Sequence, residues 1–310
     1  MKNYTAVDVG GTNIRVALYP ETGIEPIIQK RIPTHGEGSV VDRIASLIAE
    51  LWPSEDTVQA IGIAAPGPID PKAGIIFSAP NISEWKNLPL QKLLEDRFHV
   101  PVSLGNDANL AALGEWKFGA GIGYHNLIYM TLSTGIGGGV IIDDRLLLGA
   151  QGLAAELGHI TVVPDGPMCN CGHRGHLEAV ASGPAIARYV REKLALGWPS
   201  SLQGIESPTA EDVSRAAHQG DEFSIQVLQR AGAMIGQALA DYLHIFNAEI
   251  FILGGGLTHS GDFLLKPLEL ALRHGVMSVE YVRNLVITAP ALGDDAGLLG
   301  ALALAQMAEA

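Results

Sequence analysis

Tyr4–Val9 is apolar and β-rich and stops at Gly10-Gly11. Ile14, Val16 and Leu18 then alternate with Arg15, Ala17 and Tyr19. A period of two on either side of a glycine pair predicts strand, tight turn, strand. Ile24–Ile32 is expected to add a third antiparallel strand. Val40–Leu51 carries apolar residues at helical spacing and stops at Trp52-Pro53. Val58–Ala64 reads as a buried strand ending in the turn Pro66-Gly67-Pro68. Leu88–Phe98 then reads as a helix, Val100–Leu104 as a strand, and Ala108–Phe118 as a helix entered through Asn106-Asp107.

The pattern starts again at Leu127. Leu127–Leu132 is a predicted strand, residues 133–139 a glycine-rich turn, and Val140–Ile142 a returning strand. Pro184–Leu196, Ala210–His218 and Glu222–Phe246 have helical spacing. Ile250–Leu253 is a strand running into Gly254-Gly255-Gly256, Leu285–Thr288 a last strand, and Ala296–Ala308 a final helix. Helices and strands alternate after each opening hairpin, so the expected class is α/β with two related lobes. There is no low-complexity linker and no short-period repeat. No helix-turn-helix pattern precedes the first strand.

Composition narrows the function. The chain has 310 residues, which suggests about two domains. With 20 basic and 33 acidic residues it carries a net charge of −13. That balance argues against a nucleic-acid partner, whose phosphates must be neutralised by Lys and Arg, and against an anionic membrane surface. Any phosphate ligand needs local donors or a metal. The two cysteines, Cys169 and Cys171, are too close in sequence to staple anything distant. The N-terminus lacks the apolar core of a signal peptide, and the longest apolar stretches are too short for a membrane span. A soluble, cytoplasmic protein is expected.

Several short motifs carry chemistry. In Asp8-Val9-Gly10-Gly11-Thr12, bare backbone N–H groups and the Thr12 hydroxyl can point at phosphate oxygens, while Asp8 can hold Mg²⁺ through water. A plain hairpin with a solvated Asp has the same spelling. Ser133-Thr134-Gly135-Ile136-Gly137 repeats the chemistry half a chain later, and Gly254-Gly255-Gly256 could let an adenine or ribose lie against backbone. No P-loop, dinucleotide fingerprint or protein-kinase motif set is present. Asp107 fits either a helix N-cap or a general base that takes a hydroxyl proton, with Asn106 bonding a neighbouring hydroxyl. Cys169, Cys171 and nearby imidazoles suit a tetrahedral zinc knot, with His159, His173 and His176 competing to complete it. Glu156, His159 and Glu178 are polar groups such a knot could organise around a sugar. The remaining histidines, His259 among them, carry no spacing signal.

Taken together these residues resemble the ROK family of bacterial sugar kinases and repressors, in the sugar kinase/Hsp70/actin superfamily. The matching stretches are Asp8–Thr12, Gly62–Pro68, Pro80-Asn81, Asn106–Asn109, Thr134–Gly138, Glu156–His159, Cys169–Glu178 and Gly254–Gly256. The pattern is most similar to ATP-dependent glucokinases. The resemblance implies a two-lobed actin-like ATPase (ribonuclease H-like) fold. One lobe would span 1–108 plus 295–310 and the other 109–294, with the active site in the cleft between them. It implies Asp107 as base toward the sugar 6-hydroxyl, and Gly67, Asn81, Asn106, Glu156, His159 and Glu178 around the sugar. Asp8, Gly10, Gly11, Thr12, Thr134, Gly135, Gly137, Gly254, Gly255 and Gly256 would surround Mg-ATP. His159, Cys169, Cys171 and His176 would hold structural zinc. His176 stands where the family pattern has a third Cys, and Asn13 where Lys is common. A homodimer or higher even oligomer is expected.

Rival expectations are a related kinase for fructose, N-acetylglucosamine or N-acetylmannosamine, a sugar-responsive regulator, and a sugar-binding module without catalysis. Polyphosphate as donor is open.

Overall fold

The structure, a computed structural model, describes residues 2–55, 57–79 and 81–308. Pro80, part of one motif above, lies outside the described residues. In chain order the strands are β1 (Asn3–Val9), β2 (Asn13–Pro20), β3 (Ile28–Pro33), β4 (Val58–Ala65), β5 (Ile69–Asp70), β6 (Ile75–Ser78), β7 (Lys86–Leu88), β8 (Val102–Asn106), β9 (Leu127–Leu132), β10 (Ile136–Ile142), β11 (Arg145–Leu146), β12 (Ile250–Gly254) and β13 (Val286–Thr288). The helices are α1 (Val40–Leu51), α2 (Leu90–Phe98), α3 (Asp107–Phe118), α4 (Leu177–Ala181), α5 (Gly183–Ala195), α6 (Ala210–His218), α7 (Glu222–Phe246), α8 (Asp262–Gly275) and α9 (Ala296–Met307). Among the described residues no helix is long and apolar enough to cross a membrane.

The chain divides into two compact units: residues 1–124, 139–155 and 290–310, and residues 125–138 and 156–289. The first therefore reaches beyond the 1–108 segment implied by resemblance. It keeps α3, because α3 packs along α9. It also takes in Gly139, where an added Cβ would press on Asn109 and Ala112 of α3.

The first unit is built on a sheet of order β3-β2-β1-β4-β8, with β1, β4 and β8 parallel and β2 and β3 antiparallel. Both faces are covered, which is why β1 and β4 read as continuous apolar runs. One face carries large branched side chains, Val7, Val9, Ile14, Ile61 and Ile63, buried against α1 and α2. The other face carries Ala6, Ala17, Ala60 and Ala64 and meets α3 and α9. Small residues there let helix backbone approach the sheet. A Cβ on Gly62 would collide with the Ala301 carbonyl of α9, and one on Gly300 with Leu110 of α3. Asp8 shares the parity of Tyr4 and Ala6 and so lies on the α9 face.

Glu115, fully buried on α3, fastens this layer. Its carboxylate accepts the backbone N–H of Ala120 at 2.8 Å, Ala291 at 3.1 Å and Leu292 at 2.8 Å. It thereby ties the end of α3 to the segment that leads into α9.

The second large sheet has order β11-β10-β9-β12-β13, with β9, β12 and β13 parallel. Element for element this is the order of the first sheet, so the two-lobe repeat expected from the sequence is present in the fold. In the second unit α7 and α8 pack closely, since Gly232 and Gly236 face the carbonyls of Leu264 and Leu268. The buried Tyr242 hydroxyl of α7 donates to the Leu157 carbonyl, and burial pushes its pKa up. The helix α8, the short α4 and the small β5–β6–β7 sheet are elements that the sequence pattern did not announce.

Candidate active site

In the first unit the loop after β1 is fixed by its own backbone. Gly10 N–H donates to the Asn13 carbonyl at 2.8 Å. The buried Thr34 donates its hydroxyl to the Gly10 carbonyl at 2.6 Å and its N–H to the Thr12 carbonyl at 2.8 Å. The Thr12 side chain is left exposed. Asp8, at the end of β1, pairs with Arg15 across the hairpin: Oδ2 accepts Nη2 at 2.7 Å and Nε at 3.0 Å. Arg15 also donates to the Asp295 carboxylate at 2.8 Å and to the Asp294 carbonyl. Burial alone would lower the Arg15 pKa, but Asp8 and Asp295 outweigh it and raise it. Asp8 is thus charge-compensated through Oδ2, and its Oδ1 is the atom suited to a water-mediated Mg²⁺ contact.

Asn106, Asp107 and Gly67, expected from the sequence at the sugar, meet at the start of α3. Asn106, not Asp107, is the N-cap: Oδ1 accepts Ala108 N–H at 3.0 Å and Asn109 N–H at 3.3 Å. Its Nδ2 donates to the Gly67 carbonyl at 3.1 Å. Gly67 sits at φ +99°, with Ser78 so close that no Cβ fits. Asp107 is the first helical residue and is exposed; its Oδ1 accepts Ala108 N–H at 2.8 Å. The capping role weighed for Asp107 therefore belongs to its neighbour, and the Asp107 carboxylate is left at the surface of the helix N-terminus. Asn81 lies against the loop after β1, its Nδ2 2.9 Å from where a Cβ on Gly11 would be.

In the second unit Ser133 N–H closes the loop after β9 on the Gly135 carbonyl at 2.9 Å. Gly183 N–H donates to the Ser133 carbonyl at 2.8 Å, which places the start of α5 beside the loop. Strand β10 begins at Ile136, so Gly137 is a strand residue rather than part of the turn. A cavity of about 760 Å³ opens here, lined by Thr134, Gly183, Thr209, Ser214, Gly256 and His259 among others. Of the three consecutive glycines only Gly256 lines it. Gly254 ends β12 opposite Thr131, and Gly255, at φ +91°, lets β12 approach the Leu132 backbone. The sequence reading missed Thr209, Ser214 and Arg191, and passed over His259 as an unremarkable histidine. These residues come from α5, α6 and the turn after β12, and no local motif marks them.

The knot assembles as four ligands. His159, Cys169, Cys171 and His176 bring one donor atom each within 4.8 Å of one another. Cys169 Sγ lies 3.6 Å from His159 Nδ1, and Cys171 Sγ lies 3.2 Å from His176 Nδ1. Tetrahedral zinc spaces its ligand atoms by roughly 3.4–3.8 Å, so the donor set and its size both fit that metal. His173 is exposed, with Nδ1 3.8 Å from Cys171 Sγ, outside the four-ligand group. Gly172 and Gly175 take φ of +91° and +72°, as the tight loop requires. Burial pushes the Cys169 thiol up to about 11, and burial together with His159 and His173 lowers His176. Burial thus favours the protonated Cys169 thiol and the neutral His176 imidazole, and metal binding would release the thiol proton.

The carboxylates of Glu156 and Glu178 border the knot. His159 presents Nε2 to the exposed Glu156 carboxylate at 4.0 Å. Glu178, in the first turn of α4, lies with Oε1 3.6 Å from Cys169 Sγ and accepts Ile136 N–H through Oε2 at 3.1 Å.

Two five-stranded sheets with one strand order, each with a glycine-hydroxyl loop after its first strand, define an α/β protein of the actin-like ATPase fold. The family model described as "ROK family" matches residues 4–308, and the chain belongs to that family. A glucokinase of Thermotoga maritima is 41% identical over 304 residues, covering 96% of this chain and 95% of that protein. The solved ROK hexokinase of Thermus thermophilus superposes with a TM-score of 0.85 at 32% identity, covering 99% of each chain. A ROK glucokinase of Streptomyces griseus, solved in complex with glucose and AMPPNP, gives a TM-score of 0.77 at 36% identity over 98% of this chain and 99% of that one.

Proposed function

We propose that the protein is an ATP-dependent glucokinase that transfers the γ-phosphoryl group of ATP to the 6-hydroxyl of glucose, giving glucose 6-phosphate and ADP. The observation that carries the reading is the exposed Asp107 carboxylate at the first turn of α3, in a chain 41% identical to a glucokinase along nearly its whole length. Asp107 accepts the proton of the 6-hydroxyl as that oxygen forms its bond to phosphorus and the bond to the ADP oxygen breaks. Asn106 holds Asp107 in place by capping α3 and anchoring the Gly67 carbonyl. Asn81, Glu156, His159 and Glu178 take the other sugar hydroxyls.

The loops at Gly10-Gly11-Thr12 and Thr134-Gly135 supply backbone and hydroxyl donors to the phosphates, and the cavity at Thr134 and Gly256 receives the nucleoside. Asp8 would hold Mg²⁺, which would supply charge neutralisation for the phosphates. His159, Cys169, Cys171 and His176 would hold zinc, which would serve a structural role there. The free thiols of this knot suit a reducing, cytoplasmic compartment. The exposed Ile245, Leu270, Met277 and Val279 suit a homodimer or higher even assembly.

The test is ATP-dependent phosphorylation across a hexose panel, with polyphosphate as a parallel donor. Fast turnover on glucose with ATP is expected. Turnover confined to another sugar would keep the chemistry and move the specificity. Silence with every sugar and both donors in zinc-replete protein would overturn the kinase reading.

A further inference from the structure

The second unit places one carboxylate against both ligand sites. Glu178 Oε2 accepts the N–H of Ile136 at 3.1 Å, directly after the phosphate loop. The same oxygen is 2.8 Å from where a Cβ on Gly135 would stand. The carboxylate is thus in direct contact with the loop backbone, and a shift of one bears on the other. The first unit repeats the relation, with Asn81 Nδ2 2.9 Å from the Cβ position of Gly11. In each unit a phosphate-loop glycine abuts a side chain assigned to a sugar hydroxyl.

We propose that Glu178 is a positioning residue for the phosphate loop as well as a sugar ligand, and that it links sugar binding to nucleotide binding. This rests on the glucokinase reading above. A sugar hydroxyl that orients the Glu178 carboxylate fixes the Ile136 N–H, and through it the donors of Thr134 and Gly135. A nucleotide that orders the loop in turn presents the carboxylate to the sugar. The two effects are equal in free energy by linkage.

The test is calorimetric binding of Mg-ADP without sugar, and of glucose without nucleotide, to the full chain loaded with zinc. Glu178→Ala removes the acceptor of one buried backbone N–H, and Mg-ADP affinity is expected to fall about fivefold with no sugar present. Glu178→Gln keeps an oxygen for Ile136, so Mg-ADP affinity returns toward wild type while glucose affinity stays low. Gly135→Ala adds a methyl that displaces Oε2. Gly135 lies outside the left-handed region, so its backbone accepts alanine, and glucose affinity is expected to drop several-fold without nucleotide. The Gly135→Ala and Glu178→Gln arms stand even if Glu178→Ala does not fold. Wild-type Mg-ADP affinity in Glu178→Ala, or wild-type glucose affinity in Gly135→Ala, overturns the linkage and leaves the glucokinase reading intact. Wild-type protein that binds no Mg-ADP at all overturns both.

Discussion

The Asn106 carboxamide donates to the Gly67 carbonyl at 3.1 Å while its own oxygen caps α3 at 3.0 Å. One side chain therefore joins the turn after β4 to the helix that displays Asp107. Asn106→Asp keeps the cap and loses the donor; Asn106→Ala loses both. The alanine variant should be about 1 kcal/mol less stable, while the aspartate variant keeps its stability. Both should show raised glucose KM. Urea unfolding beside steady-state kinetics separates the two roles, and equal stability loss in both variants would assign the main role to the Gly67 contact.

Asp107→Asn leaves the backbone N–H of Ala108 an acceptor and removes the base. Turnover should fall about 10²–10⁴-fold with glucose binding retained. The check is kcat together with calorimetric glucose affinity. A kcat within tenfold of wild type would remove Asp107 from the proton transfer.

His176→Ala removes one of the four gathered ligands. Bound zinc per chain, read by atomic emission, should drop well below one, and glucose KM should rise because His159 and Glu178 border the knot. His173→Ala should keep its zinc, since His173 lies outside the group. The reverse pattern would exchange the two histidines.

Much of this site was legible because its chemistry is local in sequence. Asp8 through Thr12, Asn106-Asp107 and Cys169 through Glu178 each pack several functional groups into one turn. The cavity beside Thr134 and Gly256 was not, because Arg191, Thr209, Ser214 and His259 come from separate elements and meet only in the fold. Helix α8 escaped notice because Pro267 interrupts its pattern in the interior. The cap was weighed for Asp107 because Asp and Asn cap equally well, and only the strand's end at Asn106 decides between them. Gly255 resembled a ligand glycine, but its missing side chain accommodates Leu132.

Asp221 gives a pH signature away from the site. It caps α7 through Ser224 N–H at 2.7 Å and accepts Ser201 N–H at 2.6 Å. Burial alone would raise its pKa; the hydrogen bonds from Ser201, Ser224 and Ser200 hold it down to about 2. A depressed carboxylate stabilises the fold above its unfolded pKa of 3.8, and that contribution fades as pH falls through about 2. Asp221→Ala should cost about 1 kcal/mol at pH 6, and the gap to wild type should narrow between pH 4 and pH 2. A gap that stays constant with pH would mean that the charge is not involved.

Glu115→Ala should be the most damaging of these substitutions to stability. It takes the shared acceptor from three half-buried backbone hydrogen bonds, a loss of about 2 kcal/mol or more. Urea denaturation measures it, and a loss under about 1 kcal/mol would show that water replaces the carboxylate.

The placement of α9 has a consequence for biosynthesis. This helix covers the small-residue face of the first sheet, yet it is translated only after the whole of residues 125–289. A nascent chain that has completed α3 still leaves Ala6, Ala60 and Ala64 only partly covered, because α9 is not yet made. The middle of the chain can complete its own core on the ribosome while the beginning waits. That delay leaves an apolar surface for chaperones, and the start of the protein is finished last.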